Sequence, residues 1–290
     1  MSKSNRFILR HKKKLIFIII LLAIVTVLLD SNLRLVKSEL TVTLPNLPEA
    51  FDGKVIVHLS DSHMQRLDCP RLMGFVEQAE PDMIVYTGDM AARRMTLTDS
   101  RLNEIERFFR RLAAIAPTYF ITGNHDIAQR PFMPQVIPIL RQTGVVILRN
   151  DYLPITRETA DGRTQTIILA GIDDQLNWYR RDVLIQLRAR IDESHDDPFI
   201  VLLAHRYNRL DKYAANGMDF VMAGHSHGGV VRLPLVGAVF STRRGFFPRY
   251  ADGISRQGDT VMVTSRGIAS WFPPRFWNNP EVVVITLSSS

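Results

Sequence analysis

Nine side chains of this 290-residue chain fall into five short clusters whose types suit metal chemistry. They are Asp61 with His63, then Asp89, then Asn124-His125-Asp126, then His205, and finally His225 with His227. Five of the eight histidines belong to these clusters. Imidazole, carboxylate and amide oxygen, without thiolate, are donors for borderline divalent ions such as manganese, iron or zinc. So many donors exceed the needs of one tetrahedral ion. They suit two ions about 3.5–4 Å apart that share a carboxylate. Any one of these residues alone would read as structural, and Gly123-Asn124-His125-Asp126 alone would read as a turn. The signal is their recurrence at strand ends.

The elements that must position them are legible as apolar runs. Lys54–Ser60 reads as a strand delivering Asp61-Ser62-His63, and Met83–Thr87 as one delivering Gly88-Asp89. Pro117–Thr122 leads into Gly123-Asn124-His125-Asp126. Phe199–Leu203 ends at Ala204-His205, and Phe220–Ala223 at Gly224-His225-Ser226-His227. Further strands are expected at Leu40–Leu44, Val145–Leu148, Thr166–Ala170 (after an Asp161-Gly162 turn), Val261–Val263 and Val282–Leu287. Helices are expected at Arg71–Glu80, from Asp99 or Ser100 to Ala114, in a short proline-flanked stretch after Pro131, and from about Tyr179 to Ile191. Helices and strands alternate early, and strands dominate later. That order predicts an α/β sandwich of two packed sheets.

The order Asp-x-His, Gly-Asp, Gly-Asn-His-Asp, a lone His and Gly-His-x-His resembles the calcineurin-like metallophosphoesterase family over roughly Leu40 to Leu287. Arg232-Leu233-Pro234, Ser265-Arg266-Gly267, Pro274-Arg275-Phe276 and Asn279-Pro280-Glu281 resemble its membrane-associated bacterial branch. The resemblance implies a four-layer α-β-β-α sandwich of two mixed sheets. It implies two divalent ions, manganese favoured over iron or zinc. Asp61, His63 and His227 would hold one, Asn124, His205 and His225 the other, and Asp89 would bridge them. His125 would act on the leaving oxygen, and Asp126 would orient His125. The implied reaction is hydrolysis of a phosphodiester or pyrophosphate bond by a metal-bridging hydroxide. UDP-2,3-diacylglucosamine pyrophosphatase activity in lipid A synthesis is a narrower alternative, and a non-catalytic scaffold a remote one. Ser62 and Arg206-Tyr207-Asn208 depart from the family pattern, the latter at the pocket rim.

Composition bounds the rest. Of the +7 net charge, six charges come from Lys3, Arg6, Arg10 and Lys12-Lys13-Lys14; thirty-six basic residues less six leaves thirty, against twenty-nine acidic ones. A nearly neutral body argues against a nucleic-acid partner. Cys69 is the only cysteine, which excludes an intrachain disulfide and thiolate metal sites. Leu15–Leu29 is uncharged and apolar, short of the ~20 residues that span a bilayer but extended by snorkelling lysines. A single membrane anchor over residues 15–33 is expected, with a basic cytoplasmic tail (1–14) before it and the domain (40–290) after. A cleaved signal and a buried helix are the competing readings. The positive-inside rule puts the domain outside the cytoplasm, whereas the lipid A substrate would require the cytoplasmic face. The partners expected are thus a phosphoester or pyrophosphate, a lipid or nucleotide-linked lipid among them, and the membrane. His11, His58 and His195 read as structural. The basic-aromatic loop Arg243, Arg244, Phe246, Phe247, Arg249, Tyr250 reads as a solvated loop or a lipid-facing one. Trp271, Phe272, Phe276 and Trp277 read as core, with an apolar pocket or an interfacial belt as the alternative.

Overall fold

The computed structural model describes residues 3–92, 95–129, 132–174, 182–242, 244–270 and 274–289. In chain order the helices and strands are α1 (Lys3–Leu33), β1 (Val36–Leu44), β2 (Val55–Leu59), α2 (Pro70–Gln78), β3 (Met83–Tyr86) and α3 (Asp99–Ile115). They continue with β4 (Thr118–Phe120), α4 (Asn124–Ala128), α5 (Phe132–Gln142), β5 (Val146–Ile147), β6 (Asp151–Glu158), β7 (Thr164–Gly171) and α6 (Asp182–Asp192). The remainder are β8 (Phe199–Arg206), α7 (Leu210–Ala215), β9 (Phe220–Gly224), β10 (Val231–Leu233), β11 (Gly237–Ser241), β12 (Gly245–Phe246), β13 (Gly253–Gln257), β14 (Thr260–Thr264) and β15 (Glu281–Ser289).

Two six-stranded mixed sheets, ordered β1-β15-β2-β3-β4-β5 and β13-β14-β9-β8-β7-β6, form the body. Side chains alternate across each strand, so neighbours serve different layers. Ile56, Val85, Leu169 and Met222 meet between the sheets. Val57, Ile84 and Tyr86 face outward against Phe108, Phe109 and Leu112 of α3. On the other sheet Ile168, Leu202 and Val221 pack on Leu187, Leu210 and Tyr213 of α6 and α7. This is the sandwich of two packed sheets expected from the element order, with the four α-β-β-α layers that the family resemblance implies. Each fully buried aliphatic or phenyl group contributes about 1.5–3 kcal/mol.

Several boundaries differ from expectation for local reasons. α3 is capped by Thr98, whose side chain accepts from Arg101 N, one residue before the expected Asp99. β6 pairs antiparallel with β7 across the Asp161-Gly162 turn. Gly162 takes φ +82°, which glycine adopts without strain. The start of the expected helix at 179–181 lies outside the described residues, as do Arg243, Trp271 and Phe272. α1 is one continuous helix that takes in the basic tail as well as the apolar run. Its residues are exposed from Arg10 to Thr26, whereas Ser31 and Asn32 are buried against the body.

Strands β2, β3 and β4 run parallel to one another in one sheet, and β7, β8, β9 and β14 do so in the other. Their carboxyl ends lead into Asp61, Asp89, Asn124, Asp174, His205, His225 and Ser265. Loops at the carboxyl ends of such strands are where α/β sheets gather chemistry.

Candidate metal centre

The carboxylates show how the loops prepare the site. Asp61 Oδ2 is fastened by Ser60 Oγ (2.5 Å) and by the backbone N–H of His225 (2.9 Å). Its other oxygen, Oδ1, is buried and accepts no hydrogen bond, and lies 3.5 Å from His227 Nε2. Asp89 repeats the pattern. Its Oδ1 accepts the N–H of His125 at 2.7 Å, and its Oδ2 lies 3.3 Å from His205 Nε2 and 3.9 Å from His63 Nε2. In each case one oxygen is held and one is aimed at imidazole.

The imidazoles are oriented to match. His63 Nδ1 donates to Ala91 O (2.9 Å) and His205 Nδ1 to Thr87 O (2.7 Å). A carbonyl at Nδ1 fixes the proton there and leaves the Nε2 lone pair facing the centre. His63 Nε2 is 3.3 Å from His227 Nε2, and His205 Nε2 is 3.1 Å from His225 Nδ1. Nitrogens this close on neighbouring rings can face a common cation. Asn124 completes the set: its Oδ1 is buried without a hydrogen bond, a costly state unless a ligand meets it.

Donor atoms of Asp61, His63 and His227 lie within 4.8 Å of one another, as do those of His63, Asp89 and His125 and those of Asp89, His205 and His225. The orphaned oxygens and the oxygen–nitrogen donor chemistry fit divalent ions.

Local backbone geometry serves this convergence. Asp61, His63, Asp89, His225 and His227 all have φ between +45° and +67°, a left-handed conformation that costs side-chain-bearing residues and clusters at functional sites. A bulge at His205 shifts the β8–β9 register and re-aims its ring. Two glycines permit close approach of loops, Gly224 between the two sheets and Gly123 within one of them. A Cβ on Gly224 would run into Ser60 Oγ and Asp61 Oδ2, and one on Gly123 into the backbone and carboxylate of Asp89.

Burial by itself would raise the Asp89 carboxyl, but the His205, His63 and His125 rings hold it well below the ordinary range. Burial and the adjacent Asp89 push Asp126 up to about 7. Asp126 is tied into the backbone. Its oxygens accept the N–H groups of Asp89 (2.9 Å), Ala91 (2.7 Å) and Gly123 (2.8 Å), so it ties two loops together.

Other residues complete the surroundings without having stood out in the sequence. Arg206 forms a two-pronged pair with Asp174 (Nε–Oδ2 2.6 Å, Nη2–Oδ1 3.2 Å), and its Nη1 lies 3.0 Å from His225 Nε2. The departure at Arg206 was the only signal of this pair. Arg275, buried, donates to Arg266 O and Ala269 O beside His227. His58, expected to be structural, is buried with Nε2 2.8 Å from Thr87 Oγ1, directly below the carbonyl that holds His205. A cavity of about 820 Å³ opens over the donors, with Arg206, Tyr207, Asn208, Arg244 and Arg275 in its wall.

Two packed mixed sheets that gather clustered oxygen and nitrogen donors at their strand ends define an α/β sandwich with a candidate metal centre. The calcineurin-like phosphoesterase family model matches residues 54–229, and the chain belongs to that family. It is 29% identical over 261 residues to "Uncharacterized metallophosphoesterase YkuE" of Bacillus subtilis, covering 87% of this chain and 85% of that one. It is 28% identical over 241 residues to "Phosphodiesterase YaeI" of Escherichia coli K12, covering 80% and 81%. It is also 28% identical over 270 residues to "Transmembrane protein with metallophosphoesterase domain" of Danio rerio, covering 87% of this chain and 57% of that one. The chain is thus a metal-dependent phosphoester hydrolase.

Proposed function

We propose that this chain is a membrane-anchored phosphodiesterase or pyrophosphatase that holds two divalent ions, manganese by preference, on either side of Asp89. The observation that carries the reading is the position of Asp89 Oδ2, facing His63 on one side and His205 on the other. Asp61, His63 and His227 hold the first ion; Asn124, His205 and His225 hold the second. When bound, the pair neutralises phosphate oxygens and supplies a water of lowered pKa as nucleophile.

The chain's own residues do the rest. Asp126 keeps the Asp89 and Gly123 loops in register and is a positioning residue. His125 lies in the cavity wall, its ring 4.9 Å from that of His63, where it can hand a proton to the leaving oxygen. Arg206 is fixed by Asp174 at the edge of the same cavity and offers positive charge to a phosphate.

The anchor reading rests on α1. Residues Arg10–Leu33 are long and apolar enough to cross a membrane, and 24 helical residues at 1.5 Å each span about 36 Å, beyond a ~30 Å hydrocarbon core. The basic residues ahead of the span favour a domain on the far side from the cytoplasm. The Danio rerio relative's name describes a transmembrane protein, which supports the same reading. The test is hydrolysis of bis-p-nitrophenyl phosphate by the detergent-solubilised full chain with manganese. Turnover that a chelator abolishes and manganese restores is expected; metal-independent turnover would refute the proposal.

A further inference from the structure

The β10-β11-β12 sheet is an appendage on the six-stranded layers, and its tips carry apolar side chains with nothing over them. Leu235 at the β10–β11 turn is fully exposed and Val236 is 58% exposed; Phe246 and Phe247 at the β12 end are 74% and 65% exposed. Phe246 is held by its neighbour Phe240, ring centroids 5.3 Å apart, so it is presented on a strand and not on a loose tail. Arg244 and Arg249 flank this pair, both exposed and without an ion pair among the described residues. Grouped apolar tips beside unpaired cations match the chemistry of an anionic lipid surface.

The appendage shares its support with α1. Asn32, at the end of α1, makes a reciprocal pair with the Arg275 backbone (2.9 and 3.0 Å), and Asn279 Nδ2 donates to Asp30 O at 2.8 Å. The next residue on that strut, Phe276, accepts from Arg232 N (3.0 Å) and donates to Val230 O (2.9 Å), the root of β10. Trp277, between the two attachments, is 47% exposed, as befits an aromatic at a membrane interface. The same appendage forms part of the cavity wall through Val230, Ser241, Thr242 and Arg244.

The geometry points to the β10-β11-β12 appendage as a second membrane contact, which seats Leu235, Val236, Phe246 and Phe247 in the bilayer surface and holds the cavity mouth at headgroup level. This rests on the anchor reading of α1. Its consequence is a phosphoester substrate presented by the membrane itself.

The test uses the full chain with Cys69→Ala, in vesicles of phosphatidylethanolamine and phosphatidylglycerol. Single cysteines (Val236→Cys, Phe247→Cys, Ile19→Cys, Glu193→Cys) carry an environment-sensitive fluorophore. Quenching by a nitroxide near the lipid headgroup is compared with quenching by aqueous iodide. Labels at 236 and 247 are expected to be quenched by nitroxide several-fold more than the label at 193. If they respond to iodide like 193 while 19 stays lipid-quenched, the anchor stands and the second contact is overturned. Shielding of 236 and 247 from both quenchers would assign the face to a second copy of the chain and overturn it too. Iodide access at 19 would overturn the anchor reading and, with it, this inference.

Discussion

The backbone N–H of Asp89 donates to Asp126 Oδ2 at 2.9 Å, joining residues thirty-seven positions apart. The same carboxylate takes the N–H groups of Ala91 and Gly123. Asp126 therefore sets where Asp89 and Asn124 stand. Replacing it with Asn turns an amide N–H toward at least one backbone donor. Asp126→Asn is expected to lower stability by about 1–3 kcal/mol, the cost of a buried donor left unpaired. Manganese affinity should fall with it. Thermal unfolding and metal titration check both; an unchanged affinity contradicts the loop-tying role.

His125→Ala should separate chemistry from binding. Metal content and unfolding temperature should stay near those of the parent, while turnover of bis-p-nitrophenyl phosphate drops by about 10²–10⁴. Activity retained in full would remove His125 from the reaction.

Gly224→Ala tests the close approach of the two sheets. The added Cβ meets Ser60 Oγ and Asp61 Oδ2 in a buried site, so Asp61 must shift. Overpacking of this kind costs about 1–3 kcal/mol. Metal affinity should fall more than stability does, because Asp61 is the group displaced. Normal metal binding in a folded Gly224→Ala chain would contradict the geometry.

His58 gives a pH signature away from the metal donors. Burial pushes it down from 6.5 to about 4, against the opposing pull of Glu281 and Asp61. The unfolded imidazole thus takes up its proton first as pH falls. Its contribution to stability is complete above pH 6.5 and is lost as pH drops toward 4, to a limit of about 3 kcal/mol. The unfolding temperature of the full chain should therefore decline more steeply over that range than that of His58→Leu. Equal slopes would rule out His58 as the source.

The legible part of the sequence is the part where composition and position coincide. Each site strand is an apolar run cut off by a polar cluster, so Asp61, Asp89, Asn124, His205 and His225 could be placed on strand ends without coordinates. The loop-tying contacts of Asp126 could not be read, because its partners there are backbone N–H groups and carry no residue signature. Asp174 was invisible for a similar reason: one Asp after β7 looks like any turn residue until Arg206 reaches it. The small β10-β11-β12 sheet escaped notice because its strands are two to five residues long and alternate weakly. α1 looked like a tail plus an anchor, since charge divides it while helical hydrogen bonding does not.

Anomalous scattering from crystals of the manganese-loaded full chain is the most direct measurement. It should show two ions about 3.5–4 Å apart, both bonded to Asp89, with Asp61, His63 and His227 on one and Asn124, His205 and His225 on the other. A single ion, or two ions with Asp89 bonded to only one, would contradict the account.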